Sequence, residues 1–418
     1  MPEFLKLLSP PEAYSLLISN LPTPEPVAET IDSDLALGRV LAADVIAPHP
    51  LPAFPRSTVD GYAVRARDTF GANEALPAYL NLIGESPMGA APAFKIEAAQ
   101  TAVIHTGGML PDGADAVVMI ENTQVAPSAE IEIMHAIAEG ENILRIGEDV
   151  AEGQIVLPKG RMIRPPEIGG LMAIGRIKIP VAKRPRVAIL SSGDEVIDPH
   201  EKPRPGQVRD VNSYALAALV TQSGGEPVLY GILPDQLDAM QSAAERALRE
   251  CDVIVLTAGS SASARDLTST AIDSLGKPGV LVHGVNVRPG KPTILAVCAG
   301  KVVIGLPGNP VSALVIARLF LVPVIERLLG LPEKILRPSV SARLTINLPS
   351  QAGREDWIAV HLHPSPAGRG AGSEGFLAEP IFGKSNLIFS LAAADGLIRI
   401  APDATGISAG EIVEVVLM

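Results

Sequence analysis

Between residues 186 and 329, four apolar runs alternate with segments of helical pattern, and this alternation restricts the chain more than any other feature. The runs are Val187-Ala-Ile-Leu-Ser191, Val228-Leu-Tyr-Gly-Ile232, Val253-Ile-Val-Leu-Thr257 and Val302-Val-Ile-Gly-Leu306. Each is short and apolar at successive positions, the pattern of a strand buried on both faces. Helices are predicted over 214–222 (capped by Asn212 and stopped at Gly224-Gly225), over 236–250, and onward from Pro310. Strands joined by helices of this length make a doubly wound parallel sheet with helices on both faces, and such sheets hold ligands at the carboxyl ends of their strands. Aromatic residues are only 3% of the 418, so the core must be Val, Ile, Leu and Ala.

On either side the pattern changes. Residues 1–47 carry short helical patterns at 11–19 and 35–43. The cluster Pro48, Pro50, Pro52 and Pro55 then forces an extended, stiff connection. Residues 56–139 contain short β-like runs, such as Ala102-Val-Ile-His105, Ala116-Val-Val-Met-Ile120 and Glu130-Ile-Glu-Ile-Met134. From 142 to 179 an extended chain is expected, with Pro165 and Pro166 adjacent. After Pro332 helices are expected to cease, and 340–346, 358–362 and 412–417 alternate as half-buried strands. The expected organisation is an extended N-terminal domain (1–50 and 140–180), a β-rich insert (51–139), an α/β ligand-binding domain (181–330) and a C-terminal all-β domain (331–418). The 38 glycines and 38 prolines agree with a chain of many turns.

A net charge of −12 argues against a general nucleic-acid or anionic-membrane surface, since both need basic stripes. The first residues lack the basic, apolar and small-residue order of a secretory leader, and no run of about 18 apolar residues occurs. A cytoplasmic protein is expected. Cys251 and Cys298 lie in apolar runs and read as two buried free thiols, a lone disulfide being the alternative. His361-x-His363 has no zinc-type partners.

Several loops carry chemistry. Ser191-Ser-Gly-Asp-Glu195 puts two carboxylates at a strand end, where they suit either a hard cation or a helix cap. Gly305-Leu-Pro-Gly-Asn-Pro-Val-Ser312 runs from strand to helix. Asn309 at the cap and Pro310 at the first helical position leave amide groups at the binding edge, an anion site or simply a well-made cap. Arg288-Pro-Gly-Lys-Pro292 fixes two cations around a rigid turn and suits an oxyanion. The small-residue loop 257–266 lets a ligand approach the backbone, with Ser261, Arg265 and Asp266 as polar groups. Asp60-Gly61 reads first as a tight turn; His105-Thr-Gly-Gly108 and Gly147-Glu-Asp149 are similar.

Taken in order, Asp60-Gly-Tyr-Ala, His105-Thr-Gly-Gly, Arg145-Ile-Gly-Glu-Asp, Ser192-Gly-Asp-Glu, Pro289-Gly-Lys-Pro and Leu306-Pro-Gly-Asn-Pro-Val-Ser resemble the molybdopterin molybdenumtransferases of the MoeA and gephyrin E-domain type. The resemblance runs from about residue 10 to the C-terminus, and Gly383-Lys-Ser385 fits its last domain. It implies a central MogA-like domain and a small C-terminal β-barrel. It implies insertion of molybdate into the dithiolene of adenylylated molybdopterin, with magnesium and release of AMP. It further implies a homodimer, and as other partners the enzyme that supplies adenylylated molybdopterin and the molybdoenzymes that accept the product.

By motif, Arg288, Lys291, Ser312, Arg354 and Ser385 would hold molybdate, with Gly308, Asn309, Ser261 and Arg265 also on the ligand. Asp194, Glu195, Asp235 and Asp266 would serve magnesium. Asp60, Thr106 and Asp149 would complete the cleft from the partner chain, and Asp60, Thr106, Asp149, Glu195, Asp235 and Lys291 would carry catalysis. Ala258, Ser263 and Ala264 depart from the family loop, and this favours the alternative of a catalytically weak cofactor-binding or scaffold protein. A tungstate-inserting version is the other alternative, because the two oxyanions match in size and charge.

Overall fold

The fold was analysed in a computed structural model, which describes residues 7–258, 262–333, 337–365 and 375–418, with the side chains of 258 and 262–265 left aside. The chain forms two compact units. One comprises residues 31–37 and 43–179, the other residues 1–30, 38–42 and 180–418.

The first unit is centred on a six-stranded sheet. Its strands are β1 (Gly61–Val64), β2 (Ala78–Glu85), β3 (Gln100–Ile104), β4 (Ala116–Met119), β5 (Thr123–Val125) and β6 (Glu130–Ile133), in the order β4-β1-β3-β2-β6-β5. Alternation decides which side chains go inside: Tyr62 and Val64, Leu80, and Ile131 with Ile133 form one buried cluster. The stretch 142–179, expected to be extended throughout, contains a helix, Pro165–Ala173. Pro165 and Pro166 start that helix and do not break it, because the first-turn amides have no intrahelical partner to lose. Glu167 closes the turn. Its buried carboxylate accepts from Arg164 and Arg161, at 2.7 and 2.8 Å. The helix expected at 35–43 shrinks to one 3-10 turn, Ser33–Leu35, and Gly38 follows with a φ of 72°.

The second unit holds two six-stranded sheets. The α/β sheet is made of β7 (Arg186–Ser192), β8 (Glu226–Leu233), β9 (Val253–Ala258), β10 (Pro278–His283), β12 (Ile294–Cys298) and β13 (Lys301–Pro307), after a short strand β11 (Val287–Arg288). The order is β8-β7-β9-β13-β12-β10. The four expected strands are parallel, as predicted. Two more, β12 and β10, add antiparallel at the β13 edge. Helices cover both faces. Val187, Ile189, Val253 and Val255 face one layer with Leu216, Val220, Ile316 and Phe320. Ala188, Leu190, Ile254 and Leu256 face the other with Ala244, Ala247 and Ile272. The helix 10–19 contributes Ala13 and Leu17 to the first layer. Cys251 and Cys298 are buried free thiols.

The second sheet contains β14 (Ser339–Leu344), β15 (Glu355–Pro364), β16 (Phe376–Pro380), β17 (Gly396–Ile400) and β18 (Ile412–Leu417). Their order is β15-β16-β14-β18-β17, and a further β15–β17 pairing closes a five-stranded barrel. A short helix, Ile388–Ala392, interrupts the all-β stretch. Strand β11 belongs to this sheet and not to the α/β one: it pairs in parallel with β15, Val287 opposite Glu355 and Arg288 opposite Asp356. Among the described residues no helix is long and apolar enough to cross a membrane.

Candidate active site

A cavity of about 680 Å³ opens at the carboxyl end of β13. Its wall brings together four stretches far apart in sequence: the 287–292 turn, the 305–312 loop, β15 with the residues before it, and 381–390. Each is fixed by backbone contacts. Residues 287–288 are held by the β11–β15 ladder. Gly290 has a φ of 116°, and a Cβ there would collide with Ile316, so the turn needs glycine. Val311 N–H donates to the Ser385 carbonyl at 3.0 Å, and Asn309 Nδ2 donates to Ser385 Oγ at 3.0 Å. The helix start therefore has one fewer free amide than its sequence suggests. Asn212 does not cap its own helix. Asp210 accepts the Ser213 amide at 3.0 Å, and Asn212 Nδ2 instead donates to the Gly308 carbonyl at 2.8 Å.

The cavity thus unites seven residues singled out from sequence: Arg288, Lys291, Gly308, Asn309, Ser312, Arg354 and Ser385. It adds Lys384, Asp356, Trp357 and Phe382. Lys291 and Lys384 are exposed and make no ion pair among the described residues. Asp356 is the acid of the wall among the described residues, and Arg354 Nε lies 2.7 Å from its Oδ1. Among the described residues of the wall, four cations against one acid favour an anion. Lys384 was legible as the centre of Gly383-Lys-Ser385. Asp356 could have been found as the acid two residues after Arg354, close enough in the chain to pair with it.

The acids gather elsewhere on the same sheet edge. Ser192 and Leu233 are paired neighbours, so the loops after β7 and β8 meet. There the Asp235 amide donates to Asp194 Oδ1 at 3.2 Å. Burial pushes the Asp235 carboxyl above its ordinary range, and the Asp194 and Glu195 charges push it further. Its Oδ1 is buried, and the neighbouring Ser192 hydroxyl opposes the shift. Strand β9 lies between β7 and β13, which separates the acids from the cavity by two strand spacings, about 10 Å. Asp266 is exposed in the helix Ala262–Asp273. Ser261 and the side chain of Arg265 lie outside the described residues.

In the other unit Asp60 is more than a turn residue. Its Oδ1 accepts the Thr106 amide at 2.8 Å and lies 3.3 Å from Thr106 Oγ1 and 3.6 Å from His105 Nδ1. The Thr106 amide is the main cause that holds this carboxyl below its ordinary value. Gly61 is obligatory, because a Cβ would strike the Val118 carbonyl. Asp149 is exposed, with its amide donating to Leu51 O at 3.0 Å, and no hydrogen bond joins it to Asp60.

Comparison with known proteins identifies the family. Family models match along the chain: "MoeA N-terminal region (domain I and II)" over 8–175, "Probable molybdopterin binding domain" over 188–327 and "MoeA C-terminal region (domain IV)" over 341–418. The chain is 34% identical to molybdopterin molybdenumtransferase 2 of Mycobacterium tuberculosis, covering 91% of this chain and 93% of that one. It is 32% identical to the molybdopterin molybdenumtransferase of Bacillus subtilis, covering 92% and 88%. The crystal structure of the molybdopterin biosynthesis MoeA protein from Pyrococcus horikoshii superposes with a TM-score of 0.85 at 32% identity, covering 99% and 100% of the two chains. Full-length coverage at this identity, with matches in all three regions, leaves one assignment: the chain belongs to the MoeA family of molybdenum-cofactor biosynthesis enzymes.

Proposed function

We propose that this enzyme of molybdenum-cofactor biosynthesis inserts molybdate into the dithiolene of adenylylated molybdopterin and releases AMP. The observation that carries the reading is the cavity at the end of β13, where Arg288, Lys291, Arg354 and Lys384 stand around Asp356, the one acid among the described lining residues. Molybdate is a tetrahedral dianion. It needs fixed cations and hydroxyl donors, and Ser312 and Ser385 supply the latter. Lys291 and Lys384, exposed and without an ion pair among the described residues, are the cations free to contact the oxyanion.

The acids suit magnesium as a second component. Among the described residues no three acidic, histidine or cysteine side chains converge closely enough to enclose a metal by themselves. Magnesium does not require that, because it keeps waters and shares its shell with substrate phosphates. Asp235, crowded by like charges, suits such a cation, with Asp194, Glu195 and Asp266 as its further acids. When bound, the ion would neutralise phosphate charge during anhydride cleavage. Ser261 and Arg265 are assigned to the ligand on their motif alone.

The four-domain division and a cytoplasmic homodimer are part of the same proposal. Asp60, Thr106 and Asp149 would serve the site of the second copy, and the supplier of adenylylated molybdopterin and the accepting molybdoenzymes would be transient partners. The test is a turnover assay with adenylylated molybdopterin, molybdate and magnesium, with AMP followed by chromatography. AMP release that depends on both molybdate and magnesium is expected. No AMP under these conditions overturns the reading, and faster release with tungstate reassigns the metal.

A further inference from the structure

We infer that Asp356 is a positioning residue for oxyanion capture, acting through Arg354 and Arg288; this rests on the reading of the cavity as the oxyanion site. Asp356 is 2% exposed. Its Oδ1 lies 2.7 Å from Arg354 Nε, and its Oδ2 lies 3.1 Å from Arg354 Nη2 and 3.0 Å from Ser350 Oγ. Arg288 Nη1 stands 4.0 Å from the same Oδ2. The two-point contact fixes one edge of the Arg354 guanidinium and leaves the donors of the other edge for a ligand. The backbone repeats the link, since Arg288 pairs with Asp356 across the β11–β15 ladder. One buried carboxylate therefore holds two cations that arrive from different modules of the unit.

A carboxylate in an anion site has a competing description: it only cancels charge. The two descriptions predict opposite signs. If Asp356 merely neutralises, Asp356→Asn makes the cavity more positive and tightens anion binding. If it positions, Asp356→Asn releases Arg354 and weakens binding although the cavity gains charge.

The experiment titrates sodium molybdate into the full chain by equilibrium dialysis. Trp357, the only tryptophan and a cavity wall residue, provides a local fluorescence reporter. Asp356→Asn is expected to weaken molybdate about tenfold, the loss of one charge-assisted contact. The same substitution in an Arg354→Ala background is expected to cost much less than in the unaltered chain, because only the looser Arg288 contact at 4.0 Å is then left for it to hold, and an undiminished loss in that background overturns the inference. Unchanged or tighter binding in Asp356→Asn overturns the inference while leaving the oxyanion site standing. No molybdate binding by the unaltered protein overturns both. If Asp356→Asn fails to fold by circular dichroism, Ser350→Ala decides. Loosening that support is expected to weaken binding about twofold to threefold, and an unchanged affinity overturns the inference.

Discussion

At one edge of the α/β sheet, Asp194, Glu195 and Asp235 gather on the loops of two adjacent strands, whereas Arg288, Lys291, Arg354 and Lys384 are assembled from three stretches spanning about a hundred residues. The acids need only a parallel ladder to meet, and burial with neighbouring like charges raises the proton affinity of Asp235. The cations are held by cross-links between modules, namely the β11–β15 pairing and the Val311–Ser385 hydrogen bond. The difference is one of construction: the acidic cluster is a local product of two neighbouring strand ends, whereas the shape of the cationic cavity depends on cross-links between distant segments.

Removing a cation without disturbing the frame should have the largest effect. Lys291→Ala is expected to lower turnover about 100- to 1000-fold, as for a donor lost from a pre-organised anion site. Its melting temperature should stay put, since Lys291 is exposed. A rate near that of the unaltered protein would mean that the four cations are interchangeable, and would break the contrast drawn above.

Disturbing the frame itself comes next. Gly290→Ala forces a side chain onto a φ of 116° and into Ile316. We expect a loss of about 2–3 kcal/mol in denaturant unfolding, with weakened molybdate binding alongside. An unchanged midpoint would show that the turn shifts freely and that the cavity is not rigid.

The smallest effect is expected at the acids, and with the opposite sign. Because the Asp235 carboxyl is shifted upward, the folded state holds this proton more tightly than the unfolded state does. Ionisation therefore costs the folded state stability as pH rises above the ordinary carboxyl range, and the full cost applies above the shifted value. Asp235→Asn without metal should stabilise at pH 7 by under about 1 kcal/mol, and should give no gain at pH 3, where both forms are neutral. Thermal melts in chelator at the two pH values check it. Destabilisation at pH 7 would mean that the ionised Asp235 is already satisfied and has no call for a cation.

Much of this was legible beforehand. The four parallel strands carry apolar residues at successive positions, and nothing but a two-faced burial explains them. The cation turn and the Leu306–Ser312 loop were visible because glycine, proline and a cap residue fix local geometry. Local pattern misled where a residue had two lawful uses. Pro165-Pro166 reads as a breaker in extended chain, yet prolines are accepted in a helix's first turn. Asn212 reads as a cap, yet its amide supports Gly308 while Asp210 caps. Strand β12, Ile294–Cys298, is as apolar as its neighbours but sits antiparallel, a choice its composition does not encode.

By itself the sequence determined the elements and their chemistry: which stretches are buried strands, which turns demand glycine, where cations and acids lie along the chain. Only the tertiary structure decided which of them share a site. Strand β11 leaves the α/β sheet to pair with the barrel, and that pairing sets Arg288 opposite Asp356. The physical reason is that local propensity acts over a few residues, whereas ladder pairing and burial act between segments whose separation in the chain leaves no local trace.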